Sequence, residues 1–179
     1  MMVDAPILMT SFQPWRAHQV ENSSNVLLAG LARAGALPPN TVWLSELVVN
    51  FELAPTRVIN QICVHRPRLV ICCGMAEKRS HLTLEAQGRL NGHTFQTPLD
   101  VSSLAQDAIH TRVSQDAGSF VCNHLYYRVL EYVQCRGLPC RVLFIHIPAL
   151  NPHNRAVIEF DFLRIVRRLV KGGRVKGER

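Results

Sequence analysis

The chain has 179 residues, 47% of them hydrophobic and 18% charged, which supports a folded unit with a full core and excludes a disordered or low-complexity chain. No apolar run approaches the ~20 residues of a membrane-spanning helix, and the opening MMVDAPILMTSF carries Asp4 where a secretion signal needs positive charge. The formal charge is +7, yet 13 basic and 12 acidic residues precede position 164 and seven basic residues lie from 164 onward, so no basic nucleic-acid groove is indicated.

Short apolar runs alternate with amphipathic segments, the pattern of a mostly parallel sheet covered by helices. Residues 6–11 (PILMTS) read as the first strand. A helix is expected over 23–34, capped by Ser23 or Ser24 and ended by Gly35 and the Pro38-Pro39 pair. Residues 41–49 read as a strand, and Pro55 opens a helix running to about Val64. LVICCG at 69–74 reads as a strand buried on both faces. The next segment, HLTLEAQGRL, alternates like a strand, and Asn91-Gly92 marks a hairpin turn. Further helices are expected over 102–110, 120–134 and 154–170, with strands over 112–115 and 141–147. No internal repeat or linker interrupts this order, so residues 1–170 are expected to form a single α/β domain and 171–179 a solvated basic tail.

Six cysteines (Cys63, Cys72, Cys73, Cys122, Cys135 and Cys140) form no C-x-x-C pair, which points to reduced thiols and a cytoplasmic setting. The Asn22-Ser23-Ser24 sequon then carries no weight. Glycine-rich nucleotide loops and H-E-x-x-H are absent from the sequence, and His81 with Glu85 lacks a third ligand, so neither cofactor nor metal is expected.

Three residues attract chemistry. Cys122 follows the Gly118-Ser119 turn and falls in the first turn of a helix, where free N–H groups and the positive dipole end would stabilise a thiolate and lower its pKa. A buried cysteine can equally serve as packing. His146 stands at the carboxyl end of an apolar strand, where open α/β sheets place their ligands. It reads as a general base or as a core histidine. Glu85, inside LTLEAQ, is either a buried carboxylate orienting a histidine or an exposed strand residue. His124, two positions past Cys122, points to another helix face.

Several blocks resemble the pyroglutamyl peptidase I family of cysteine peptidases, which remove an N-terminal pyroglutamyl group. AGSFVCNHLYY at 117–127 is similar to the family block A-G-[TS]-[FY]-[VL]-C-N-x-L-[FM]-Y, which implies that Cys122 is the nucleophile. FIHIP at 144–148 is similar to F-[IV]-H-[VIL]-P, which implies that His146 is the base. Gly74, Ala76, Arg79 and Glu85 match the block ending in the catalytic glutamate, and Thr10, Phe12 and Pro14 echo the T-G-F-x-P-F-G-G opening.

The resemblance implies a three-layer α/β/α fold, no cofactor, a cytoplasmic enzyme and frequent homo-oligomers. It implies a cysteine hydrolase acting on small peptides with a blocked N-terminus, with Cys122, His146 and Glu85 as a triad and Arg79 beside the oxyanion. Phe12, Trp15, Met75 and Val121 are implied to contact substrate. Departures from the family pattern fall around the pocket: Trp15-Arg16-Ala17 replaces Phe-Gly-Gly, Met75 stands where Gln is usual, and Glu77-Lys78 replaces Gly-Gly. Only 37 positions separate Glu85 from Cys122, fewer than in the family. The same chemistry on another small N-acyl group, or a binding or regulatory protein without turnover, are the alternatives. Nucleic-acid binding through residues 164–179 is a further one.

Overall fold

A computed structural model describes residues 5–172; the basic tail beyond them lies outside the described residues. Six strands form one sheet: β1 (Ile7–Phe12), β2 (Thr41–Leu47), β3 (Leu69–Met75), β4 (Leu82–Glu85), β7 (Thr111–Ser114) and β8 (Arg141–Ile147). Their order is β2-β1-β3-β8-β4-β7. The four strands from β2 to β8 run parallel, while β4 lies antiparallel to β8 and parallel to β7. The separate pair β5 (Gln87–Leu90) and β6 (His93–Gln96) forms an antiparallel hairpin. Its turn residues Asn91 and Gly92 have φ of 49° and 79°, as the Asn-Gly pair predicts.

Helices cover both faces, giving three layers. Helices α1 (Ser23–Arg33), α3 (Val101–Ala105) and α5 (Arg155–Val170) close one face over Met9, Ile71, Leu84 and Ile145. On the other face, α2 (Leu53–His65) and α4 (Val121–Cys135) pack over Leu8, Val70, Cys72 and Phe144. Alternate residues of each central strand feed opposite cores. This period of two puts the odd residues of β8 under α5 and the even ones, Val142, Phe144 and His146, toward α4.

Two local expectations are corrected. The α1 cap is Asn22, whose side chain accepts from Ser24 N at 3.1 Å; the Ser24 hydroxyl instead donates to that same Asn22 oxygen and receives Phe12 N. The helix expected over 102–110 stops at Ala105. Asp161, fully buried on α5, takes the N–H groups of Ile109 and His110 at 2.9 and 2.7 Å and the Thr111 hydroxyl at 2.7 Å. Those bonds pull the chain out of helix and into β7. Asp161→Ala is expected to cost about 2–4 kcal/mol, since it strands three donors that a charged acceptor served; urea unfolding measures it, and a loss below about 0.5 kcal/mol would contradict this role.

Candidate active site

The carboxyl ends of β1, β3 and β8, with the amino end of α4, surround a cleft of about 380 Å³. Cys122 is the second residue of α4. Phe120, the residue before the helix, supplies no side-chain cap, and the first backbone bond into this turn is His124 N to Phe120 O. The N–H groups of residues 121–123 therefore lack helical partners. Asn123 fixes the turn from outside: its side chain accepts from Arg89 N at 2.9 Å and donates to Arg89 O at 2.7 Å, pinning α4 to β5. Beneath Cys122 lies Gly74, where a Cβ would come within 2.7 Å of Cys122 Sγ and 2.8 Å of Phe144 Cζ. Only glycine leaves room for the thiol there.

His146 is 5% exposed and lines the cleft together with Cys122. Its Nδ1 lies 2.7 Å from Oε1 of Glu85, which is fully buried. The contact follows from topology. Leu82, Leu84 and Ala86 belong to the core under α5, so Thr83 and Glu85 face α4, and the antiparallel register sets Thr83 against His146 and Glu85 against Phe144. Arg79 Nη1 donates to the same carboxylate oxygen at 2.5 Å, and its Nη2 to Asp116 O at 3.0 Å. The Tyr126 hydroxyl, one turn beyond Cys122, donates to Glu85 O at 2.9 Å.

Desolvation opposes the Glu85 charge, but the hydrogen bond and charge of His146, with the hydrogen bond from Arg79, outweigh it and hold the carboxyl below its ordinary value. Cys122 goes the other way. Burial, then the Glu85 charge, pushes its thiol up to about 12, against smaller lowering effects of the local backbone and Arg79. The expectation of a lowered Cys122 pKa is thus corrected. The helix terminus does favour a thiolate, but the loss of water around sulfur is larger.

The remaining sequence candidates all line the same cleft: Phe12, Trp15, Met75, Arg79 and Val121. Phe12 and Val121 are buried, whereas Trp15 is 45% exposed and stacks on Phe120 with ring centroids 4.5 Å apart. Met75 Sδ accepts from Ser23 N at 3.4 Å. His124 packs edge-on against Phe51, away from the thiol, and His81 against His110 rather than Glu85. Tyr126 and Phe120 were not singled out from sequence. A tyrosine four residues after the cysteine on the buried helix face was the available signal, because a buried hydroxyl needs a partner. Also unforeseen is a clasp at the rim: Glu77 pairs with Arg16 Nη1 at 3.3 Å and His18 Nε2 at 2.9 Å.

The chain is similar to known proteins in sequence and in fold. Residues 98–160 match the family model described as pyroglutamyl peptidase, a span that includes Cys122 and His146. The pyrrolidone-carboxylate peptidase of Thermoanaerobacter sp. (strain X514) is 26% identical over 197 aligned positions, covering 92% of this chain and 96% of the relative. That alignment is longer than the chain itself, so the relative carries segments absent here. The Vibrio vulnificus (strain YJ016) pyrrolidone-carboxylate peptidase is 28% identical, over 80% of this chain and 78% of the relative.

Among solved structures, pyroglutamyl peptidase I from Bacillus amyloliquefaciens superposes with a TM-score of 0.76 at 22% identity, over 92% of this chain and 94% of that one. A mutant pyrrolidone carboxyl peptidase from Pyrococcus furiosus gives 0.79 at 17% identity, over 93% and 98%. The fold is therefore theirs. With the matched segment, the full-length relatives and the shared architecture together, the chain is similar in sequence and in fold to the pyroglutamyl peptidases.

Proposed function

We propose that the protein is a cysteine-type omega peptidase that removes an N-terminal pyroglutamyl group from peptides, with Cys122 as nucleophile, His146 as base and Glu85 as the group that orients it. The observation that carries this reading is the buried Glu85–His146 pair opening onto the cleft that holds the Cys122 thiol.

A carboxylate on Nδ1 fixes the proton there and leaves Nε2 to accept another. With its pKa near 12 the resting thiol is neutral, so its proton leaves as attack proceeds. Sγ bonds to the pyroglutamyl carbonyl carbon, the thiol proton passes to His146, and the carbonyl electron pair moves onto oxygen. The free N–H groups of residues 121–123 stabilise that oxyanion. Arg79, committed to Glu85 and Asp116 O, acts mainly by holding Glu85 ionised. Collapse breaks the C–N bond, the leaving amine takes the His146 proton, and a thioester remains. Water, deprotonated by His146, then attacks the thioester; the C–S bond breaks, and Cys122 and free pyroglutamate are restored. Phe12, Trp15, Met75 and Val121, with Phe120, form the apolar wall against the acyl group.

The raised Cys122 pKa favours a binding protein without turnover. A panel separates the two readings: the L-pyroglutamyl amide of a fluorescent amine is expected to be hydrolysed at least about tenfold faster than its acetyl and glutaminyl counterparts. Equal rates on all three would contradict the pyroglutamyl assignment, and no hydrolysis of any would favour the binding reading.

A further inference from the structure

We propose that Lys78 selects peptides whose residue immediately after the scissile bond is acidic. This rests on the peptidase reading of the cleft and adds the class of peptide it takes.

Four formal charges line the cleft mouth: Arg16, Glu77, Lys78 and Arg79. Three are spent on partners. Arg16 and Glu77 pair with each other at 3.3 Å, and Arg79 is bound to Glu85 at 2.5 Å. Lys78 makes no hydrogen bond or ion pair among the described residues and is exposed. It is the uncompensated charge of the mouth.

Its backbone is also anchored. Glu77 and Lys78 are the central residues of a turn closed by Arg79 N donating to Ala76 O at 2.9 Å. One side of this turn is tied through Glu77 to Arg16 and His18, the other through Arg79 to Glu85 and Asp116. The backbone that carries Lys78 is thus held in place, and only its four-carbon stem has to be ordered for the ammonium to meet a ligand. The acyl side of the cleft is apolar, with Phe12 and Val121 buried. The pyroglutamyl group itself carries no charge, so a charged rim group can discriminate only through the side chains of the leaving peptide. An acidic side chain there gains a partner, whereas a basic one faces repulsion.

The test uses three pyroglutamyl peptides that differ only in the residue after the scissile bond, Glu, Gln or Lys. For the unaltered protein kcat/KM is expected to rank Glu above Gln above Lys, with steps of about two- to fivefold each, as for a partly exposed ion pair. Those steps shrink in high salt, and Lys78→Glu reverses the ranking. The same ranking in both proteins overturns the proposal. Binding of the three peptides to Cys122→Ala, with and without Lys78→Glu, is measured by calorimetry in parallel. If nothing is cleaved, the peptidase reading fails. A Glu-over-Lys binding preference that reverses with Lys78→Glu would still support the role of Lys78, and its absence would reject it.

Discussion

Cys122→Ala is expected to lower kcat on the pyroglutamyl amide by at least about a thousandfold while leaving the protein folded. No other group lining the cleft can form the thioester, and what remains is only the rate that oxyanion donors and binding provide without a nucleophile. The fold survives because the thiol contributes little to the core. It is partly buried at the edge of the cluster under α4, beside Gly74 and Phe144, and its removal is expected to shift the unfolding midpoint by only about 2–4 °C. Cys122→Ser should lose activity almost as fully, since a hydroxyl in the same position is harder still to deprotonate. Initial rates and thermal unfolding of the three proteins check this. Retained turnover in the alanine variant would remove Cys122 from the chemistry.

Glu85→Gln is expected to lower kcat by about a hundred- to ten-thousandfold with a smaller change in KM, because an amide no longer favours the Nδ1–H tautomer or balances the imidazolium that forms during attack. It also leaves Arg79 without its counter-ion, although that side chain is 28% exposed and water can replace part of the loss. The substitution carries a pH signature. The folded Glu85 carboxyl lies below its ordinary value, chiefly because His146 outweighs the cost of burial. Its ionised form therefore adds stability that is fully present above the ordinary carboxylate value and is lost as pH falls through the folded value. The stability gap between the unaltered protein and Glu85→Gln should be constant near neutrality and narrow in acid. A gap independent of pH, or kcat within a few-fold, would contradict the role given to Glu85.

Strands were readable wherever burial leaves a continuous apolar run. LVICCGM and RVLFIHI became β3 and β8, the buried central pair, and the Asn91-Gly92 turn was legible because its backbone demand is local. Glu85 could not be resolved that way. Whether a carboxylate in LTLEAQ is exposed depends on where its strand inserts, and β4 enters between β8 and β7 against the direction of β8, a choice made by the whole sheet. The overlong helix at 102–110 has the same cause, since the competing acceptor Asp161 is about 50 positions away. For Cys122 the local signal, a helix terminus, was read correctly in direction but not in weight. Its burial comes from Gly74 and Phe144 on neighbouring strands. The rim clasp joins residues 59 and 61 positions apart, beyond any spacing rule.

The most direct measurement is a rapid-quench reaction of the purified protein with the fluorescent pyroglutamyl amide, following amine release and the mass of the peptide that bears Cys122. Release accompanied by one pyroglutamyl group on Cys122, formed and lost at rates consistent with turnover and absent from Cys122→Ala, is the result expected. Amine released with no acyl group ever carried on Cys122, at a rate the alanine substitution does not change, would contradict a thioester mechanism at this site.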